Sequence, residues 1–102
     1  MINPNLKLPK EKLAAFCRRY RVKRLSLFGS ATRTDFGPES DVDVLVEFQE
    51  DARVGLFGLV TMKDELSEML GNRPVDLATP SILRNPFRRK TILRDLETIY
   101  AA

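Results

Sequence analysis

The stretch Asp41-Val42-Asp43-Val44-Leu45-Val46-Glu47-Phe48 alternates along its length, with Val42, Val44, Val46 and Phe48 on one face and Asp41, Asp43, Leu45 and Glu47 on the other. A side-chain period of two predicts a strand with one apolar face. Upstream, Val22 to Phe28 reads as another short strand, stopped by Gly29-Ser30. Ala31 to Gly37 is a polar connection that closes on the turn pair Gly37-Pro38. Ahead of both strands, Pro9 suits the first position of a helix. Leu13, Phe16, Cys17 and Tyr20 follow at i, i+3, i+4 and i+7, an apolar stripe that ends near Arg21.

Downstream, Val54 to Leu70 fits a second helix, with Leu56, Leu59, Val60, Leu66, Met69 and Leu70 near one side and Gly71 as its stop. Pro74 to Ala78 reads as a third short strand. After Pro80 the spacing predicts a turn over Ser81 to Arg84, then a helix from about Pro86 carrying Phe87, Leu93, Leu96, Ile99 and Tyr100. Helices interleaved with short strands predict an α/β or α+β fold, a short mixed sheet flanked by helices. No repeat, linker or low-complexity segment interrupts the chain, and 102 residues suit a single domain over residues 1–102.

Composition narrows the chemistry. The chain has no histidine, which excludes serine or cysteine catalysis with an imidazole base and zinc sites built on imidazole. Catalysis then falls to carboxylates, hydroxyls, cations or metal ions. The 17 Lys and Arg against 14 Asp and Glu give a net charge of only +3, too mild to argue by itself for nucleic-acid binding, which stays open. Two local runs are cationic: Arg18, Arg19, Arg21, Lys23 and Arg24, and later Arg84, Arg88, Arg89, Lys90 and Arg94. Each is either a solvated face or a docking surface for an acidic or RNA-binding partner. Lone Cys17 cannot form an internal disulfide and reads as a small buried apolar residue. No run approaches the roughly 20 apolar residues that span a bilayer, and no apolar leader precedes Lys10, which predicts a soluble cytoplasmic protein without membrane association.

The chemical constellation begins with the alternating strand. At about 3.3 Å per residue, Asp41 and Asp43 project from one face with Cα atoms about 6.6 Å apart. Two carboxylates so spaced are able to bracket the ions of a two-metal site, which lie about 3.5–4 Å apart. An Asp-x-Asp pair also commonly marks nothing more than the solvated side of a strand. Asp76, between Val75 and Leu77, is a carboxylate within an apolar short strand, where an unpaired charge costs several kcal/mol. Either a salt bridge, to Arg73 or Arg88, or a metal shared with Asp41 and Asp43 relieves it. Gly29-Ser30 supplies backbone that approaches phosphate oxygens closely and a hydroxyl that donates to them. If Ala31 to Thr34 begins a helical turn, its N-terminus adds a favourable dipole.

Gly29-Ser30, Arg33, Ser40-Asp41-Val42-Asp43 and Asp76, with the strand Leu25-Ser26-Leu27-Phe28 before them, resemble the minimal nucleotidyltransferase family of the DNA polymerase β superfamily, whose best-known members are antitoxins paired with HEPN-domain toxins. The resemblance runs from about Val22 to the C-terminus and implies a nucleotidyltransferase, polymerase β palm-like fold. It further implies metal-binding and catalytic roles for Asp41, Asp43 and Asp76, triphosphate contacts from Gly29 and Ser30, and a phosphate contact from Arg33. The activity implied is transfer of AMP from ATP, with Mg2+ and two ions, to a tyrosine of a HEPN toxin held in a hetero-oligomer. Two other readings remain: an inactive antitoxin that masks its partner, and transfer to a nucleic acid or small molecule, disfavoured because so short a chain has no room for an acceptor domain. The sequence departs from the family at Thr34, where glycine is usual, and at Thr32, where alanine is common. A side chain at positive φ is strained, so a different loop path and a weaker hold on triphosphate are expected.

Overall fold

The computed structural model describes the chain apart from residues 1, 3, 5, 34–36, 38 and 39. Helix α1 covers Lys10–Arg19, and strand β1, Val22–Phe28, runs into a 3-10 turn over Gly29–Thr32. Strand β2 (Val42–Phe48), helix α2 (Leu56–Met69) and strand β3 (Val75–Ala78) follow. A second 3-10 turn (Pro80–Arg84), helix α3 (Pro86–Asp95) and strand β4 (Glu97–Ala101) complete the chain. The sheet is mixed, in the order β3-β2-β1-β4, with β1 antiparallel to both its neighbours and β2 parallel to β3.

The alternation along β2 separates two cores. Val42, Val44 and Val46 join Leu25 and Leu27 of β1 in the larger cluster, against Leu13, Phe16 and Cys17 of α1 and Met62 and Leu66 of α2. On the opposite face, Leu45 meets Phe28 and Ile92 of α3. Every inward face is thereby covered, as sheet-and-helix layering requires. Burial pushes the Cys17 thiol up to about 12, against a weaker opposing influence from Arg18, so Cys17 packs as an apolar residue and stays protonated.

Several expectations change. Pro9 is the N-cap and not the first residue of α1, and β2 begins at Val42, leaving Asp41 just outside it. Helix α2 buries Met62 and Leu66, whereas Leu56 (76% exposed) and Val60 (52%), placed on the apolar side by periodicity, face solvent. The last helix ends at Asp95; Leu96 is extended (φ −63°, ψ 126°) and the segment holding Ile99 and Tyr100 is strand β4. Without β4 the far edge of β1 would leave backbone donors and acceptors without partners beside the core. Thr98, Ile99 and Tyr100 are β-branched or aromatic, types that suit a pleated, half-buried surface. Phe87 and Leu93 stay exposed, and Ile92 is the buried residue of α3.

Ion pairs consume much of the first cationic run: Arg19 pairs with Glu65, Arg21 with Asp51 and Arg24 with Glu47. Tyr20 also donates its hydroxyl to Glu65. Among the described residues, no helix is long and apolar enough to cross a membrane.

Candidate active site

Strand pairing brings the implicated residues to one end of the sheet. Phe28, the last residue of β1, pairs with Asp43 of β2, and Asp43 pairs in turn with Asp76 of β3. Residues opposite one another in register share a sheet face, so the carboxylates of Asp43 and Asp76 leave the sheet on the side where Phe28, Leu45 and Ile92 pack. Asp41 lies just ahead of β2, whose first amide, that of Val42, donates to the carbonyl of Pro74 at 2.8 Å.

The turn after β1 closes on this row. Gly29 has φ +70°, a left-handed conformation that glycine adopts without steric cost. A β-carbon there would stand 2.3 Å from Asp43 Oδ2 and 3.3 Å from its Cγ, so the missing side chain is what lets the turn lie against the carboxylate. The Thr32 hydroxyl donates to the Gly29 carbonyl at 2.8 Å, and the Arg33 amide to the Ser30 carbonyl at 3.0 Å. The helical turn thus starts at Gly29, ahead of the Ala31 anticipated from sequence, and Thr32 supports it from within. Thr34, the other departure from the family pattern, lies outside the described residues.

Asp43 is half-buried and carries the electrostatic load. Its carboxyl is pushed above the usual carboxylate range, first by burial, then by the negative charges of Asp76 and Asp41, while Arg88 and Arg33 pull it down. Both neighbouring carboxylates therefore act on Asp43. Asp76 is exposed, which corrects the picture of a charge enclosed by an apolar strand. β3 is an edge strand, where a charged side chain reaches water and also discourages further pairing.

The row opens into a cavity of about 430 Å³ walled by Phe28, Gly29, Arg33, Asp43, Phe87, Arg88, Thr91 and Ile92. Ser30, Asp41 and Asp76 stand beyond these walls. Arg33 bonds to Asp95 at 3.0 Å, tying the loop after Gly29-Ser30 to the end of α3. The Asp95 carboxyl is held below its usual value, chiefly by the hydrogen bond from Arg94, with Arg33 adding to it and burial opposing.

Among the described residues, no three acidic, histidine or cysteine side chains stand in a ready-made metal cage. The three carboxylates share a field without being drawn onto one point. The donor set still suits a hard divalent cation, because it offers oxygen ligands alone and the mutual repulsion at Asp43 is of the kind a cation relieves.

The cavity walls include four α3 residues, whereas the sequence offered α3 as an apolar stripe through Phe87 and a cationic run, with Arg88 as a salt-bridge partner for Asp76, and gave none of its residues a place in the site. A signal was present. Asn85-Pro86 is a cap-and-start pair, and from it the i, i+4 pairs Phe87/Thr91 and Arg88/Ile92 follow on adjoining helix faces. Which face turns toward Asp43 is decided by Ile92 packing on Phe28 and Leu45, a tertiary contact. Asp95 left no local trace.

Residues 10–99 match the model of the nucleotidyltransferase domain family. The chain belongs to that family. Protein adenylyltransferase MntA of Thermococcus cleftensis is 36% identical over 78 residues, which span 76% of this chain and 75% of that protein. A Methanocaldococcus jannaschii protein, provisionally named a protein adenylyltransferase, is 37% identical over 91 residues, or 89% of this chain and 94% of the relative. Among solved structures, one described provisionally as a minimal nucleotidyltransferase is 30% identical and superimposes with a TM-score of 0.67 over 86% of each chain. A toxin–antitoxin structure with AMP-PNP shares the fold at 18% identity, with a TM-score of 0.69 over 93% of this chain and 75% of that one. The sheet and its flanking helices are thus those of a nucleotidyltransferase, and the chain is an enzyme of that class.

Proposed function

We propose that this nucleotidyltransferase transfers AMP from ATP to a tyrosine of a partner HEPN-domain toxin and thereby neutralises it, using Mg2+ bound by Asp41, Asp43 and Asp76. The observation that carries the proposal is the register Phe28–Asp43–Asp76, which sets two carboxylates beside a glycine turn at the mouth of a nucleotide-sized cavity. Protein as acceptor follows the name of the Thermococcus cleftensis relative. A toxin as partner follows the MntA–HpeT toxin–antitoxin structure, whose fold this chain shares at 16% identity.

Gly29 and Ser30 receive the triphosphate: the backbone N–H groups of the turn and the Ser30 hydroxyl donate to its phosphate oxygens. Arg33 and Arg88 place positive charge at the cavity wall, where the triphosphate carries its negative charge. Asp41, Asp43 and Asp76 would hold the cation, which when bound supplies electrostatic stabilisation of the attacking and leaving oxygens. Asp76, exposed at the edge, takes the proton of the tyrosine hydroxyl as its oxygen attacks the α-phosphorus. An O–P bond forms to the tyrosine, the bond from the α-phosphorus to the oxygen bridging the β-phosphate breaks, and pyrophosphate leaves with that electron pair.

The test is labelled ATP with Mg2+, the chain and the product of its neighbouring gene. The neighbour should acquire label, and the double variant Asp41→Asn, Asp43→Asn should abolish it; labelling that survives the double variant refutes the assignment. A second reading, neutralisation by masking alone, draws on Leu56 (76% exposed), Phe57 (87%) and Val60 (52%), bare apolar side chains at the start of α2 such as protein contacts use. It predicts that the double variant still neutralises the partner.

A further inference from the structure

The residue of the cavity wall with the least structural reason for its place is Phe87. Its side chain is 85% exposed, although burying a phenylalanine ordinarily contributes about 1.5–3 kcal/mol. The fold forgoes that gain at a position that is firmly held. The Asn85 side chain caps α3, accepting from the Phe87 amide at 3.0 Å and the Arg88 amide at 3.3 Å, and Pro86 occupies the first turn. Ile92 anchors the same helix to the sheet through Phe28 and Leu45. The ring therefore projects from a capped, anchored turn and not from a frayed end.

The cavity is also divided by chemistry. Gly29, Arg33, Asp43 and Arg88 carry backbone and charge suited to phosphates and a cation, and Phe28, Phe87 and Ile92 are apolar. Its volume of about 430 Å³ exceeds what an ion and a phosphate tail occupy and lies within the roughly 300–1,000 Å³ of small-molecule sites. A nucleoside triphosphate has the same division, charged at one end and flat and aromatic at the other.

We propose that Phe87 is the platform on which the base of the incoming nucleoside triphosphate stacks, so that α3 binds the nucleoside while β1, its glycine turn and β2 bind the triphosphate. The inference rests on the activity proposed above and adds to it the residue that recognises the base. Stacking engages the face of the ring and is tolerant of base identity, so Phe87 provides affinity and orientation for the nucleoside and leaves discrimination among bases to polar groups.

The experiment is titration of the full chain, in Mg2+, with ATP and separately with inorganic tripolyphosphate, for the wild type, Phe87→Ala and Phe87→Trp. Loss of one stacking partner weakens binding by about 5- to 150-fold. Phe87→Ala is expected to lose that much affinity for ATP and none for tripolyphosphate, and Phe87→Trp to recover ATP binding. Because the ring is exposed, the melting temperature should stay at the wild-type value, which keeps folding out of the comparison. ATP affinity within twofold of wild type in Phe87→Ala overturns the stacking role and leaves the proposed activity standing, as does an equal loss toward both ligands. A wild-type chain that binds neither ligand overturns the nucleotide reading and the platform together.

Discussion

Replacing Gly29 by alanine separates the cost of its backbone conformation from the cost of its position. At φ +70° any side chain carries a penalty of about 1–2 kcal/mol relative to glycine. For a domain of this size each kcal/mol moves the melting temperature by about 4–8 °C, so a fall of about 4–16 °C is expected. Gly71, with φ +83°, carries the same penalty, and a β-carbon there meets nothing within 4 Å. Gly71→Ala should thus lose as much stability and nothing else. At Gly29 the new methyl would stand 2.3 Å from Asp43 Oδ2, whereas ordinary contact begins at 3.4 Å. The carboxylate must retreat by about 1 Å, a displacement that in an active site costs about 10²-fold. The assay is initial rate of AMP transfer to the partner, with Mg2+-dependent ATP binding by titration and melting curves for both variants. Gly29→Ala should melt alongside Gly71→Ala and transfer about 10²-fold more slowly. Transfer rates within threefold of one another would refute the claim that the glycine exists to admit the Asp43 carboxylate.

Asp43→Asn should abolish transfer and yet raise the melting temperature at neutral pH without Mg2+. A carboxyl with a raised pKa favours the fold below its unfolded pKa and loses that contribution as pH rises through the folded value; the advantage of asparagine over aspartate should therefore vanish in acid, checked by melting curves from pH 3 to 8. Mg2+ should stabilise the wild type and leave Asp43→Asn unmoved, and its binding should weaken as pH falls through the raised pKa. Asp95→Asn frees Arg33 from its 3.0 Å ion pair; with Arg33 at 41% side-chain exposure the stability lost should stay within about 1 kcal/mol. Because the Asp95 pKa is lowered, that difference should be present at neutral pH and shrink as pH falls through the folded pKa. Asn85→Ala removes the cap of α3 and should cost about 1 kcal/mol, read as a melting shift of about 4–8 °C.

What was legible in the sequence follows from where the determining forces lie. Val42, Val44 and Val46 announce β2 because their periodicity is local and one face is wholly apolar, and Gly29 announces the turn because only glycine takes φ +70° there without strain. Strand β4 was hidden for the opposite reason. Leu93, Leu96, Ile99 and Tyr100 satisfy helical spacing, and nothing within Glu97–Ala101 records that β1 has an edge to cover. Helix α2 misled in a third way, since Leu56, Phe57 and Val60 are apolar and exposed, and hydrophobicity alone cannot tell a core face from a docking face. The site divides along the same line: Gly29, Asp41 and Asp43 are near in sequence, while Asp76, Phe87, Arg88 and Asp95 join them through strand register and one buried isoleucine.

The same register sets the fold against the ionised form of Asp43. Pairing Phe28 with Asp43 and Asp43 with Asp76 gathers like charges while the half-buried Asp43 is partly stripped of water, and the raised pKa of Asp43 records the result. A well-packed sheet with Asn at that position would be more comfortable. Against that cost the core supplies the buried contacts of Met62 and Leu66 with β1 and β2, each worth about 2–5 kcal/mol by truncation to alanine. The repulsion is then tolerated: the guanidinium groups of Arg33 and Arg88 offset it in part, and the cation of the proposed mechanism would relieve it further. Leu66→Ala tests the balance, because it subtracts core energy without touching the site. It should lower the melting temperature steeply in the absence of Mg2+ and ATP, and the ligands should restore as many degrees to it as they add to the wild type, since stabilisation by a ligand depends on its concentration and affinity and not on the strength of the core. A ligand-induced gain that shrinks with the core would mean that Leu66 shapes the carboxylate row directly, and the separation of scaffold from site drawn here would fail.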